Sequence, residues 1–199
     1  ENDTIVVFTS DHGDMMGDFR MLAKGVMLES AVRVPLLIRI PGVTDNQVIV
    51  DKPVSNVDLL PTLLEAMGLP PCEELQGISL YPVITGEKPL EGHDVFIEYL
   101  NGAIGMGGGK FGDMNDETLM EKARAVYPVQ TAERTIVTED GWKLSLKQSG
   151  EHELYNLEED PLELKNLYFT GKYESIIKQL GARILNWQKE TGDNAEFKL

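Results

Sequence analysis

The stretch Thr4-Ile5-Val6-Val7-Phe8-Thr9-Ser10-Asp11-His12-Gly13-Asp14, followed by Lys24 and by Arg33-Val34-Pro35, decides how this 199-residue chain reads. Thr4 to Phe8 are apolar or β-branched without a break, which suits a strand covered on both faces, as in a parallel sheet. The strand ends at Thr9-Ser10, so Asp11, His12 and Gly13 fall at its carboxyl end, the edge at which open α/β sheets bind ligands. A carboxylate beside an imidazole there can share one divalent ion. Gly13 allows a sharp turn behind them. Read alone, the same three residues also suit a plain turn, with Asp11 capping the next segment and His12 exposed. The continuation of the chain changes that balance.

Residues 4–42 read TIVVFTSDHGDMMGDFRMLAKGVMLESAVRVPLLIRIPG. This pattern resembles the sulfatase family of the alkaline phosphatase superfamily: a strand, Ser-Asp-His-Gly-Asp, a glycine-containing loop, Lys-Gly, a Glu, and Arg-Val-Pro before a second strand closed by Pro-Gly. Further matches follow in the family's order. They are Val54-Ser-Asn-Val-Asp-Leu-Leu-Pro-Thr-Leu-Leu64, then Leu75-Gln-Gly-Ile-Ser-Leu-Tyr-Pro82, then Glu153-Leu-Tyr-Asn-Leu-Glu-Glu-Asp-Pro-Leu-Glu163 with Asn166-Leu167. Each motif is modest by itself; four in order cover nearly the whole chain.

The resemblance implies an α/β fold: the end of an alkaline-phosphatase-like mixed sheet with helices over residues 1–90, then a small α+β subdomain over residues 91–199, an antiparallel sheet plus a terminal helix. It implies that Asp11 and His12 ligate a divalent cation, Ca2+ first, with Mn2+ or Mg2+ in play because the imidazole softens the site. It places Lys24, and more weakly Arg20, against the sulfate group of a sulfated small molecule or carbohydrate. It does not supply the nucleophile. Sulfatases use a formylglycine made within Cys/Ser-x-Pro-x-Arg, and the single cysteine, Cys72, stands in Pro-Pro-Cys-Glu-Glu. The sequence is therefore expected to be the C-terminal part of a longer sulfatase, with the formylglycine in the N-terminal part and no turnover by these residues alone. Phe19 departs from the family, where many members carry a histidine. The Asp-His pair also occurs in relatives that cleave phosphodiesters and phosphonate monoesters, so a phosphoester hydrolase is the second reading. A binding module that kept the fold without the chemistry is the third.

Composition agrees with a globular chain: 42% hydrophobic residues and a mean hydropathy of −0.20. A net charge of −15 argues against nucleic acid on the general surface. No apolar run reaches the length of a membrane span. An anionic substrate then needs a local positive pocket, for which Arg20, Lys24, Arg33 and Arg39 are the candidates. The competing reading of Lys24 is a surface pair with Asp18 or Glu29.

Along the chain, Val34 to Ile40 reads as a second strand and Lys24 to Arg33 as a short helical turn. Ser55 to Met67 reads as a helix with Asp58 as N-cap and Gly68 as its stop. Leu69 to Glu91 reads as a connector. Asp94 to Tyr99, Arg134 to Thr138 and Trp142 to Lys147 read as strands, the last two joined by an Asp140-Gly141 hairpin turn. Residues 173–190 read as a helix with Ile176, Leu180, Ile184 and Trp187 on one face. Gly107 to Gly112 formally satisfies G-x-G-x-x-G, but no βαβ unit surrounds it, and a loop at the substrate mouth is the preferred reading. His93 and His152 read as exposed turn residues, and Glu158 to Glu163 as a solvated capping turn.

Overall fold

The computed structural model describes residues 2–99 and 132–198. The Gly107–Gly112 stretch lies outside the described residues. The chain divides into two compact units. One draws on Glu1–Phe96, Val137–Trp142 and Asn156–Leu164, the other on Ile97–Ile136, Lys143–Tyr155 and Lys165–Leu199. The class is the α/β one expected, a short strand pair with helices and a second sheet followed by a terminal helix. No helix of the described residues is long and apolar enough to cross a membrane.

In the first unit, strand β1 (Val6–Thr9) pairs with β2 (Leu36–Arg39) in antiparallel register, Val6 opposite Arg39 and Thr9 opposite Leu36. This corrects the expectation of a parallel neighbour, because the partner of β1 within this chain runs antiparallel. Val6 is 50% exposed, Phe8 58% and Leu37 63%. An unbroken apolar run reports that a strand can be buried; it does not report which partner covers it. Helix α1 (Glu29–Val32) supplies the short turn before β2.

The segment read as one helix is a 3-10 turn, Asn56–Asp58, followed by α2 (Leu59–Ala66). Ser55 caps the turn: its hydroxyl accepts from Val57 N–H, and its own N–H donates to Asp58 Oδ2 at 2.9 Å. Asp58 does not cap α2 with its side chain. Its carboxylate, 1% exposed, also accepts Ile78 N–H at 2.9 Å and meets His93 Nε2 at 3.0 Å. His93 is thus a half-buried partner of Asp58, not the surface residue that Gly-His-Asp suggested. The hydrogen bond to Asp58 raises the His93 pKa. Burial pushes Asp58 up, but donation from His93, Ile78 and Ser55 outweighs it and leaves the carboxyl below its ordinary value. The His93 share of the stabilisation is lost as pH rises through its raised pKa, and the Asp58 share as pH falls through its lowered one. Gly77 lets the Gln76–Ile78 segment lie against this turn, because a Cβ there would stand 2.1 Å from the Val57 carbonyl oxygen. Within the expected connector the chain forms one more helical turn, α3 (Tyr81–Ile84).

The second sheet has the order β3 (Val95–Tyr99), β4 (Glu133–Val137), β5 (Trp142–Lys147), β6 (Glu153–Asn156). The β4–β5 hairpin closes at Asp140-Gly141, with Thr138 N–H donating to Trp142 O at 2.9 Å. Strand alternation puts Arg134, Ile136, Leu144, Leu146 and Leu154 on one face. All five are at most 1% exposed. The terminal helix α4 (Glu174–Thr191) adds Leu180 and Ile184 to that unit's core. β6 was not read as a strand, although it lies within the Glu153 to Glu163 motif. Asn166 explains the motif's tail: its Oδ1 accepts Leu154 N–H at 3.1 Å and its Nδ2 donates to His152 O at 2.9 Å, satisfying the free edge of β6. His152 is 3% exposed, not the exposed turn residue expected. Its Nδ1 accepts Lys147 N–H at 3.0 Å and its Nε2 donates to Lys198 O at 2.6 Å, so the imidazole stands in for missing ladder partners. Glu163, expected in a solvated turn, is also buried: in the first unit it is 3% exposed and accepts Glu29 N–H at 2.6 Å.

The other face of the sheet carries Glu133, Thr135, Ser145, Lys147 and Glu153. Lys147 Nζ lies 2.6 Å from Glu153 and 3.8 Å from Glu133, whose buried Oε1 has no hydrogen-bond partner among the described residues. Burial raises the Glu133 pKa from 4.5 to about 7, against the pull of Lys147. A raised acid pKa means that stability is full below 4.5 and falls as pH rises through about 7. The shift corresponds to on the order of 3 kcal/mol. Glu133→Gln is therefore expected to leave the melting temperature nearly unchanged at pH 5 and to raise it by several degrees at pH 8. A melting curve that does not separate the two proteins at pH 8 would count against this account.

Candidate active site

β1 delivers the site. Its ladder ends at Thr9, and the chain turns at Ser10–Gly13. His12 N–H donates to Asp11 Oδ1 at 3.0 Å. That donation is the first cause of a lowered Asp11 pKa, so the carboxylate is held in its charged form. His12 Nδ1 lies 2.7 Å from Gly13 O. A carbonyl can only accept, so the proton sits on Nδ1 and Nε2 keeps its lone pair. That lone pair lies 3.3 Å from Asp11 Oδ2, and the Lys24 ammonium meets it directly. Two electron-pair donors thus lie side by side, and the imidazole one is met by a positive group.

The turn cannot relax. Gly13 N–H donates to Ala31 O at 2.8 Å, and a Cβ on Gly13 would stand 2.1 Å from Ser30 O. Lys24 returns to the site because Met15 N–H donates to Ala23 O at 2.7 Å and Gly17 N–H to Met21 O at 2.9 Å, closing the intervening loop. Asp18 is held by Ser30 Oγ at 2.8 Å, and the described contact of Lys24 is with His12, not with Asp18 or Glu29. Phe19, Arg20 and Ala23 all have positive φ, 52°, 62° and 65°. Such conformations are costly for side chains with a Cβ and concentrate at functional loops.

Of the sequence candidates, Asp11, His12 and Lys24 are brought together. Arg20 is exposed at the loop tip. Arg39 is paired with Val6, at the end of the ladder away from Asp11, so it does not join a pocket there. The donor set, a carboxylate and an imidazole nitrogen 3.3 Å apart, is of the kind that a divalent cation takes. Among the described residues no group of three or more His, Cys, Asp or Glu side chains gathers to hold a metal. Asn56 is the residue that sequence reading missed. Its Nδ2 donates to Ser10 O at 3.1 Å, across 46 residues, and nothing local in Ser-Asn-Val-Asp signals it.

Residues 17–104 match the protein family described as N-sulphoglucosamine sulphohydrolase, C-terminal. An arylsulfatase of Clostridium perfringens is 30% identical over 182 residues, covering 90% of this chain and 32% of that protein. Among solved structures, a 2-O GAG sulfatase superposes with a TM-score of 0.77 at 27% identity, covering 99% of this chain and 40% of its own. A phosphonate monoester hydrolase of Agrobacterium radiobacter gives 0.72 at 29% identity, covering 95% and 36%. The chain spans about a third of the length of the curated relatives it matches.

Proposed function

We propose that this chain, which belongs to the sulfatase family and corresponds to the C-terminal part of its members, contributes the Asp11–His12 cation site and the Lys24 anion contact of a sulfate-ester hydrolase. The observation that carries the proposal is that His12 Nε2, beyond the end of β1, is met both by Asp11 Oδ2 and by the Lys24 ammonium. Asp11 and His12 would hold the cation, Ca2+ first, with Mn2+ or Mg2+ as alternatives. When bound, it supplies Lewis-acid polarisation of the ester oxygens. The Gly13 carbonyl keeps the His12 proton on Nδ1, so Nε2 stays a donor. Lys24, whose ammonium meets His12 in this conformation, would face a bound sulfate ester and stabilise the charge that grows there. The 2-O GAG sulfatase supports a sulfated carbohydrate as the substrate class.

The phosphonate monoester hydrolase, at 29% identity, supports a second reading in which the same residues act on a phosphoester. In an enzyme whose C-terminal part is this chain, kcat/KM for an aryl sulfate is expected to exceed that for the matching aryl phosphonate monoester by at least about tenfold, a difference of about 1.4 kcal/mol in transition-state binding. A preference for the phosphonate would transfer the assignment to the second reading.

A further inference from the structure

We infer that Asn56 is a positioning residue for Asp11 and His12, an inference that rests on their reading as a cation site. Thr9 opposite Leu36 is the last pair of the β1–β2 ladder. The Ser10 carbonyl, the first beyond it, therefore lacks a strand partner. Asn56 Nδ2 fills that place at 3.1 Å, and Asn56 Oδ1 lies 3.5 Å from the Thr9 hydroxyl. The amide thus holds both residues that precede the ligands. Ser10 transmits the constraint: its hydroxyl donates to His12 O at 2.8 Å and lies 3.3 Å from Asp11 Oδ1. Holding Ser10 therefore limits both members of the pair at once.

Asn56 can hold Ser10 because it is itself held. It opens the 3-10 turn capped by Ser55, and the turn is anchored through buried Asp58 to Ile78 N–H and His93. Asn56 is itself exposed, and on a mobile segment such an amide would exchange its partner for water at little cost. On an anchored turn it preorganises the ligands, and outer partners of this kind typically carry about 10–100-fold in metal affinity.

The test uses the 199-residue chain, with Mn2+ as the probe and broadening of the His12 ring resonances as the binding readout. Asn56→Ala and Asn56→Leu are expected to raise the apparent Kd by about tenfold. Amide exchange should quicken at His12 and stay unchanged in α2. Asp11→Ala is expected to abolish the broadening. If Asp11→Ala abolishes it but neither Asn56 variant shifts the Kd, the positioning role is overturned and the cation site stands. If Asp11→Ala leaves it intact, the cation reading fails and the inference fails with it. Equal acceleration of exchange at His12 and throughout α2 would make Asn56 a general stabiliser and overturn the inference.

Discussion

Replacing Lys24 with alanine, in an enzyme whose C-terminal part is this chain, is expected to lower kcat by about 10²–10³-fold, the scale for removing one oxyanion-type contact. The reason is differential. Negative charge grows on the ester oxygens and the leaving oxygen as the S–O bond breaks, so a cation there stabilises the transition state more than the bound substrate. KM should move less than kcat. The competing role is structural: in this conformation the ammonium meets His12 Nε2, with Lys24 exposed, and an exposed contact of that kind is worth at most about 1 kcal/mol. The two roles part in a single pair of measurements. A Lys24→Ala enzyme with near-normal kcat and only a shifted melting temperature would remove Lys24 from the chemistry.

The largest expected effect on stability belongs to Arg134 and Asp193. The Arg134 side chain is 2% exposed and that of Asp193 13%. The pair is bidentate, Nε to Oδ2 at 2.7 Å and Nη2 to Oδ1 at 2.9 Å, while Nη1 donates to the carbonyls of Tyr99 and Glu133 at 3.2 and 2.8 Å. It fastens β4 to the segment just past the α4 C-cap, Gly192. Donation from Arg134 holds the Asp193 pKa near 2, below its ordinary 3.8. The contribution is therefore complete above 3.8 and lost as pH falls through about 2. Asp193→Asn leaves the buried guanidinium with only the exposed Glu98 carboxylate, 3.9 Å from Nε, as counter-charge, and is expected to cost about 3 kcal/mol in urea unfolding at pH 7. Adding Arg134→Met should recover part of that loss, because the stranded charge is removed with its partner. An Asp193→Asn protein within about 0.5 kcal/mol of the parent, or a double variant that shows strict additivity, would mean that the pair is not coupled.

What could be read along the chain was what short-range physics writes there. Thr4 to Phe8 announced a strand and Asp11-His12-Gly13 a turn at its end. Asp140-Gly141 announced the β4–β5 hairpin, and the spacing of Ile176, Leu180, Ile184 and Trp187 announced α4. Family resemblance ordered these pieces and drew Lys24 to the Asp-His pair. Tertiary structure alone decided which groups answer one another over distance. The antiparallel partner of β1, the His93–Asp58 pair, Asn56 on Ser10, His152 on Lys198 O and Glu163 on Glu29 N–H are all of this kind. Each satisfies a buried or edge polar group whose partner lies between 27 and 134 residues away. Hydrophobic period and turn propensity act over a few residues, whereas the demand that buried polar groups find partners is met wherever the folded chain brings a donor to an acceptor.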